Sequence, residues 1–266
     1  MAKLDRLPVF SCAFLLVITA LSHGRAYAQS DLTPGIIGED NRQPIDNSNP
    51  PWTAIGQVNV RGYRMRTFCT GTLVAPRVVL TAAHCVIDPV KKAPFPSKDI
   101  HFIAGVSRDK FIGHSVARCL KFPDGFHYSG PQKLLLTLPA QPVAFESFKL
   151  NLALIVLADD IPEAGVMKLL DHDVLKIGAS LVQASYPIDQ RYQLTGDTTC
   201  KAIWQDADVV ATNCDTRTGS SGGPILIEEN GAKKLAAVSV GVLEKNATIA
   251  VPVDRWPAIP LNAECP

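Results

Sequence analysis

Short apolar runs of Val, Ile, Leu and Thr, broken every few residues by Gly, Pro, Asn or Asp, set the strongest limit on how this chain can fold. Examples are 54–60, 71–74, 78–81, 100–104, 152–157, 180–184, 225–227, 236–242 and 249–253. Each has the length and β-branched content of a strand, and turn residues bound most of them. A helical repeat is hard to find; 164–175 is the best candidate. The pattern predicts an all-β chain of sandwich or barrel type. Residues 89–96, with three prolines, read as an exposed loop; 123–147 read as a long insertion, and 159–165 as a linker between two halves.

The first 28 residues read as a secretory leader rather than as part of the fold. Lys3 and Arg6 precede an apolar stretch from Leu7 to Leu21, and Ala26-Tyr27-Ala28 supplies a small-x-small cleavage site. That stretch is too short for a comfortable membrane span. The expected product begins at Gln29 and is secreted or periplasmic. Without Lys3, Arg6, Arg25 and Asp5, the 26 basic and 25 acidic residues fall to 23 and 24. So even a balance argues against nucleic acid or an anionic membrane as partner. Six cysteines remain after Cys12: Cys69, Cys85, Cys119, Cys200, Cys214 and Cys265. An even number in an exported chain suggests three disulfides, with 15 pairings open. Neither Cys-x-x-Cys spacing nor a histidine cluster marks a metal site, and no cofactor is expected.

Two strings carry chemistry. Ala82-Ala83-His84-Cys85 offers a general base, and Gly219-Ser220-Ser221-Gly222-Gly223-Pro224 offers a hydroxyl nucleophile in a glycine-rich loop. Acyl transfer at a serine requires that pair. Gly219-Ser220-Ser221-Gly222-Gly223 also fits the nucleophile elbow of α/β hydrolases. That fold needs a helix after the serine and a histidine later in the chain. Here 224–227 read as strand and the last histidine is His172, so that class is excluded.

The two strings, in this order, resemble the chymotrypsin/trypsin-like serine endopeptidases, especially the bacterial branch that includes the glutamyl endopeptidases. The histidine motif stands as Leu80-Thr81-Ala82-Ala83-His84-Cys85, and Cys69 precedes Cys85 by 16 residues. The serine motif runs from Cys214 through Pro224; Val238-Ser239-Val240-Gly241 is similar to the family's groove strand, and Ile36-Ile37-Gly38-Glu39-Asp40 to its mature N-terminus. The resemblance implies two antiparallel six-stranded β-barrels with the site in the cleft between them. It implies a pro-like segment at 29–35, a first barrel at 36–160, a second barrel with a tail at 161–266, and a Cys69–Cys85 disulfide. It also implies a monomer acting on polypeptides. Ser221 would attack the scissile carbonyl, His84 would take and return the proton, and the N–H groups of Gly219 and Ser221 would hold the oxyanion. Asp215, Thr216, Ser239 and Gly241 take the positions of the substrate pocket; Asp215 would favour Arg or Lys.

Two positions depart from the family. Its third catalytic residue is an Asp opening a strand, and Asn151 opens that strand here, in Asn151-Leu152-Ala153-Leu154. Asn can accept from the His84 ring but brings no charge, and an amide group turned to the ring favours the wrong tautomer. Three readings follow: a slow peptidase, a silent relative that binds peptides without cutting them, or a carboxylate supplied from Asp159 or Asp160. Ser220 stands where trypsin-like members have the Asp that pairs with a freed N-terminal amine, so that activation switch cannot operate in the same way.

Overall fold

A computed structural model describes residues 35–61, 67–128, 148–171, 175–243 and 246–265. The expected leader, the pro-like segment at 29–34 and most of the 123–147 insertion fall outside them. The described part belongs to one compact unit, Thr33–Pro266.

Sixteen strands occur in chain order among the described residues: β1 (Gln43–Pro44), β2 (Ile55–Val60), β3 (Thr67–Ala75), β4 (Val78–Ala82), β5 (Ile87–Asp88), β6 (Ala93–Pro94), β7 (Ile100–Ala104) and β8 (Gly113–Lys121). They continue with β9 (Leu152–Leu157), β10 (Val182–Ser185), β11 (Thr195–Asp197), β12 (Ala202–Gln205), β13 (Val210–Thr212), β14 (Pro224–Glu229), β15 (Ala232–Leu243) and β16 (Ala247–Pro252). Strands β2, β3, β4, β9, β8 and β7 close in that order into an antiparallel barrel. The second sheet runs β1-β11-β10-β14-β15-β16-β13-β12. It curls into a half-barrel whose rims meet at a bridge between Ser180 and Lys201. The all-β, two-barrel architecture is therefore present, with the first barrel closed by strands and the second by that bridge and the backbone bonds beside it, from Leu181 N–H to Cys200, Gly178 N–H to Ala202 and Ala202 N–H to Ala179.

Closure of the first barrel depends on size alternation in its wall. Gly56 pairs with Gly71 across β2 and β3. A Cβ on Gly56 would stand 2.6 Å from the Phe102 ring, and one on Gly71 would stand 2.7 Å from Val79. Gly56 thus leaves the room that a fully buried Phe102 fills, and Gly71 the room taken by Val58 and Val79. Strand β9 is buried along its whole length, as a continuous apolar run predicts.

The helix expected over 164–175 does not form where the chain is described. A 3-10 turn ends at Ala164, and Leu169 bridges to Leu235 instead. Backbone donors there are satisfied by both sheets, Met167 N–H by the Leu73 carbonyl of β3 and Leu170 N–H by the Leu235 carbonyl of β15, so tertiary pairing overrides a weak local preference. The segment 159–165 is no free linker either, because Ile161 and Ala164 are buried. Another difference concerns 36–47, grouped with the first barrel on sequence. Strand β1 pairs with β11 in the second sheet, so this N-terminal arm crosses to the other half of the molecule.

Three disulfides staple the fold: Cys69–Cys85, Cys119–Cys265 and Cys200–Cys214. The second ties β8 of the first barrel to the C-terminal tail. Because a fully buried Phe102 fills the space that Gly56 vacates, Phe102→Ala is expected to cost about 3–5 kcal/mol, read as a lower urea midpoint at unchanged slope.

Candidate active site

His84 lies on a 3-10 turn, Ala83–Val86, that follows β4 directly. The β4–β9 ladder ends at Ala82 opposite Leu152, and one step further the Ala83 N–H donates to the Asn151 carbonyl at 3.2 Å. Register alone therefore brings the side chains of His84 and Asn151 together. On the other side, Cys85 is bonded to Cys69 of β3, so the histidine turn is held by a ladder and a disulfide.

The amide of Asn151 is buried, and its orientation follows from its partners. The backbone N–H of His84 donates to Asn151 Oδ1 at 3.1 Å. Turning the amide over would set an NH2 group against that N–H, two donors facing each other. With Oδ1 so fixed, Asn151 Nδ2 stands 3.1 Å and Oδ1 3.3 Å from His84 Nδ1. That nitrogen therefore has a donor and an acceptor in reach: it accepts from Nδ2 when the ring proton is on Nε2 and donates to Oδ1 when the proton is on Nδ1. Burial holds the ring's pKa below the ordinary imidazole value, against a smaller upward pull from the Asn151 hydrogen bond. That shift favours the neutral imidazole.

Ser221 sits on a tight loop before β14. Ser220 N–H donates to the Arg217 carbonyl, and Gly223 N–H to that of Ser220, at 2.8 and 2.9 Å. Gly219 and Gly222 have φ of 97° and 81°, values that glycine adopts at no steric cost. Strand β3 grips this loop from the first barrel: Thr70 N–H donates to the Ser221 carbonyl at 2.8 Å, and Thr70 Oγ1 to that of Gly219 at 2.9 Å. With the loop so pinned, the N–H groups of Gly219 and Ser221 donate to no protein acceptor among the described residues.

His84 and Ser221 line one cleft of about 380 Å³ with Thr67, Ile87, Pro89, Tyr128, Phe148, Val240, Gly241 and Val242. The sulfur of Cys85 touches both halves, 3.8 Å from His84 Nε2 and 3.8 Å from the Ser221 carbonyl. Cys69, His84 and Cys85 cluster tightly, but both sulfurs are spent in the disulfide and neither is a thiolate ligand. A bulge between Ser239 and Gly241 in β15 turns Val240 and Gly241 toward the cleft, as bulges beside active sites do.

Other residues expected in the pocket lie elsewhere. The carboxylate of Asp215 is buried and already engaged: Ile37 N–H donates to Oδ1, and the Asn41 N–H and Nδ2 donate to Oδ2. It therefore does not present a charge to a basic substrate side chain. Thr216 Oγ1 is hydrogen-bonded to Thr248 Oγ1. Ser239 pairs by backbone with Gly222 and Gly223; of the four, only Gly241 borders the cleft. Ser220 Oγ accepts from Ser185 and from the Arg217 N–H. Asp159, whose carboxylate accepts from Ser115, and Asp160 follow the end of β9 opposite Asn151. The six residues of β9, about 20 Å of strand, lie between Asn151 and the two acids, so neither acid replaces the missing carboxylate. Sequence reasoning missed Thr70, which has no local signature, and Phe148, which adjoins the stretch read as an insertion.

A Cβ on Gly222 would meet the Thr70 carbonyl oxygen at 2.1 Å and Thr81 Oγ1 at 2.2 Å. Gly222→Ala should thus lose about 2–5 kcal/mol from overpacking and left-handed strain together, measured by thermal unfolding, and should displace Ser221 from the cleft.

Residues 69–232 match the family model of the trypsin-like peptidase domain, well over half of the chain. Submandibular glandular kallikrein-9 of Rattus norvegicus is 25% identical over 237 residues, 81% of this chain and 83% of its own length. A solved Glu endopeptidase structure in complex with MPD superposes with a TM-score of 0.63 at 19% identity, covering 82% of this chain and 93% of that one. At that identity the superposition speaks for the fold alone. By its matched domain, and with the fold to accompany it, this chain belongs to the trypsin-like peptidase family.

Proposed function

We propose that this protein is an exported serine endopeptidase, working through an acyl-enzyme on Ser221 and kept slow by Asn151. The observation that carries the reading is a shared cleft wall: His84 and Ser221 face the same space, beside a loop whose Gly219 and Ser221 N–H groups are free to take an oxyanion. Three disulfides support an oxidising compartment, and no described helix is long and apolar enough to cross a membrane.

The chemistry divides among these residues. Ser221 Oγ would attack the carbonyl and His84 would accept its proton at Nε2, which requires the ring's own proton to be on Nδ1, where Asn151 Oδ1 can accept it. Asn151 does not enforce that tautomer, because its Nδ2 can equally donate to a bare Nδ1. It also lacks the charge that would stabilise the imidazolium. The same Asp-to-Asn exchange in an enzyme of this class lowers kcat about 10⁴-fold, equivalent to roughly 5.5 kcal/mol. The cleft favours apolar side chains, because Ile87, Tyr128, Phe148 and Val240 line it. With the Asp215 carboxylate committed to the arm, an Arg or Lys preference has no support.

A second reading, a peptide-binding relative without turnover, is favoured by the same Asn151–His84 contact. A fluorophosphonate probe separates the two. Labelling of the native chain that disappears in Ser221→Ala identifies an activated serine; absence of labelling leaves the binding reading.

Turnover supplies a finer test. Asn151→Asp should raise kcat by 10²–10⁴-fold on a peptide ester while KM changes little. The pH profile carries a sign. Catalysis needs neutral His84, and burial depresses its pKa, so the acid limb of the native chain should fall below about 6.5. A carboxylate at 151 stabilises the imidazolium, and the limb should move upward in the variant. An unmoved limb and an unchanged rate would remove Asn151 from the orienting role.

A further inference from the structure

The N-terminal arm carries more hydrogen bonds to the serine loop than a peripheral segment needs. Ile37 and Asn41 give their backbone N–H groups to the two oxygens of Asp215, each at 2.7 Å. Thr216 N–H returns a bond to the Gly35 carbonyl at 2.7 Å. A Cβ on Gly35 would stand 2.6 Å from the Thr216 oxygen, so the two backbones are in direct contact. Further along, Arg42 forms a two-pronged pair with Asp189, at 3.1 and 2.8 Å, and a second pair with Asp40. Burial alone would lower the pKa of Arg42, but its two carboxylate partners raise it above the ordinary guanidinium value, so the pairing is maintained at any working pH.

Both grips converge on the same loop. Asp215 lies six residues before Ser221 and next to Cys214, itself tied to Cys200. Asp189 belongs to a 3-10 turn, Ile188–Gln190, whose Ile188 N–H donates to the Thr218 carbonyl at 2.7 Å. Arg217 Nε approaches the Asp189 carboxylate at 3.5 Å. Thr218 is followed by Gly219, whose N–H has no protein acceptor among the described residues. The arm thus reaches the loop through Asp215–Thr216 at its start and through Asp189–Thr218 just before the oxyanion donor.

We infer that the arm, through Asp215 and Arg42, positions the Cys214–Ser221 loop and so sets the aim of the oxyanion donors. Asp215 and Arg42 are positioning residues: neither touches substrate, and both act through the backbone of Gly219 and Ser221. The donors on Asp215 are ordinary amide groups of an uncut chain, and the Gly35 carbonyl takes part upstream of them. The loop is therefore ordered by folding itself, with no freed amine. Severing the arm before Ile36 or Ile37 would remove the Gly35–Thr216 bond, so trimming would lower activity where the family's usual processing raises it.

The inference rests on the peptidase reading, and the experiment keeps the two apart. In the full chain carrying Asn151→Asp, kcat, KM and fluorophosphonate labelling are compared for Arg42→Ala, Arg42→Lys, Asp215→Asn and Asp215→Ala. Circular dichroism establishes that each is folded. Oxyanion contacts strengthen in the transition state, so Asp215→Ala should lower kcat at least 10²-fold with KM changed less than threefold. Asp215→Asn keeps one acceptor and should lose less. Arg42→Ala should lose about 10-fold in kcat, and Arg42→Lys should recover part of it. If Asp215→Ala does not fold, the Arg42 pair decides by itself. An increase in KM at constant kcat would make Asp215 a substrate contact and overturn the inference. Equal kcat in all folded variants would do so too. No turnover and no Ser221-dependent labelling in the Asn151→Asp parent would overturn the peptidase reading first.

Discussion

Four consecutive residues of β3 hold the two halves of the site at a fixed spacing. Thr67 borders the cleft, and the Phe68 ring closes against Gly219, where an added Cβ would meet it at 2.8 Å. Cys69 is bonded to the neighbour of His84, and Thr70 hydrogen-bonds to the carbonyls of Gly219 and Ser221. A strand within a closed barrel has little freedom, because both of its edges are paired. The base and the nucleophile come from parts of the chain far apart in sequence. Their proximity therefore rests on one rigid strand more than on any attraction between them.

Charge is distributed around this frame in an unexpected way. The carboxylate that would orient the base is absent at 151, while the one at 215 is buried and used to bind main-chain amides. Both facts lower the electrostatic field in the cleft. A unit charge about 4 Å from the imidazolium is worth on the order of 4 kcal/mol at an effective dielectric of 20. That is most of the roughly 5.5 kcal/mol attached to the Asp-to-Asn exchange. The remainder is of the size of one hydrogen bond, as expected where the amide supports either ring tautomer. The two effects act on the same step, proton removal from Ser221, and leave the oxyanion donors untouched.

Much of this was legible in the sequence, and the exceptions have physical reasons. Runs such as 100–104 and 152–157 are strands to the residue, because apolar β-branched stretches of that length bury both faces only in a sheet. The Cys69–Cys85 bond and the roles expected of His84 and Ser221 followed from the resemblance to the family's motifs. Strands β11 to β13 were missed: they are three or four residues long, too short for any periodicity to register. The role of Asp215 was misjudged for a different reason. A carboxylate beside a pocket strand has the same local sequence whether it faces substrate or an arm some 175 residues earlier in the chain, and only tertiary structure decides. The helix expected at 164–175 failed likewise, because a partner strand satisfied its backbone.

The contrast between a slow peptidase and a peptide binder is one of relative rates rather than of architecture. In the proposed peptidase Asn151 would act on the transition state for proton transfer, whereas the apolar wall of Ile87, Tyr128, Phe148 and Val240 would act on the ground state. Binding energy from that wall is the same whether or not the bond is cut. A median enzyme turns over at about 10 s⁻¹, and a 10⁴-fold penalty would bring that to about 10⁻³ s⁻¹. A peptide bound with micromolar affinity and an association rate near 10⁶ M⁻¹s⁻¹ leaves at about 1 s⁻¹. On the order of a thousand bound peptides would then be released for each one cleaved. Under those rates the cleft samples peptides as a receptor does, and cleaves only those held far longer than the rest.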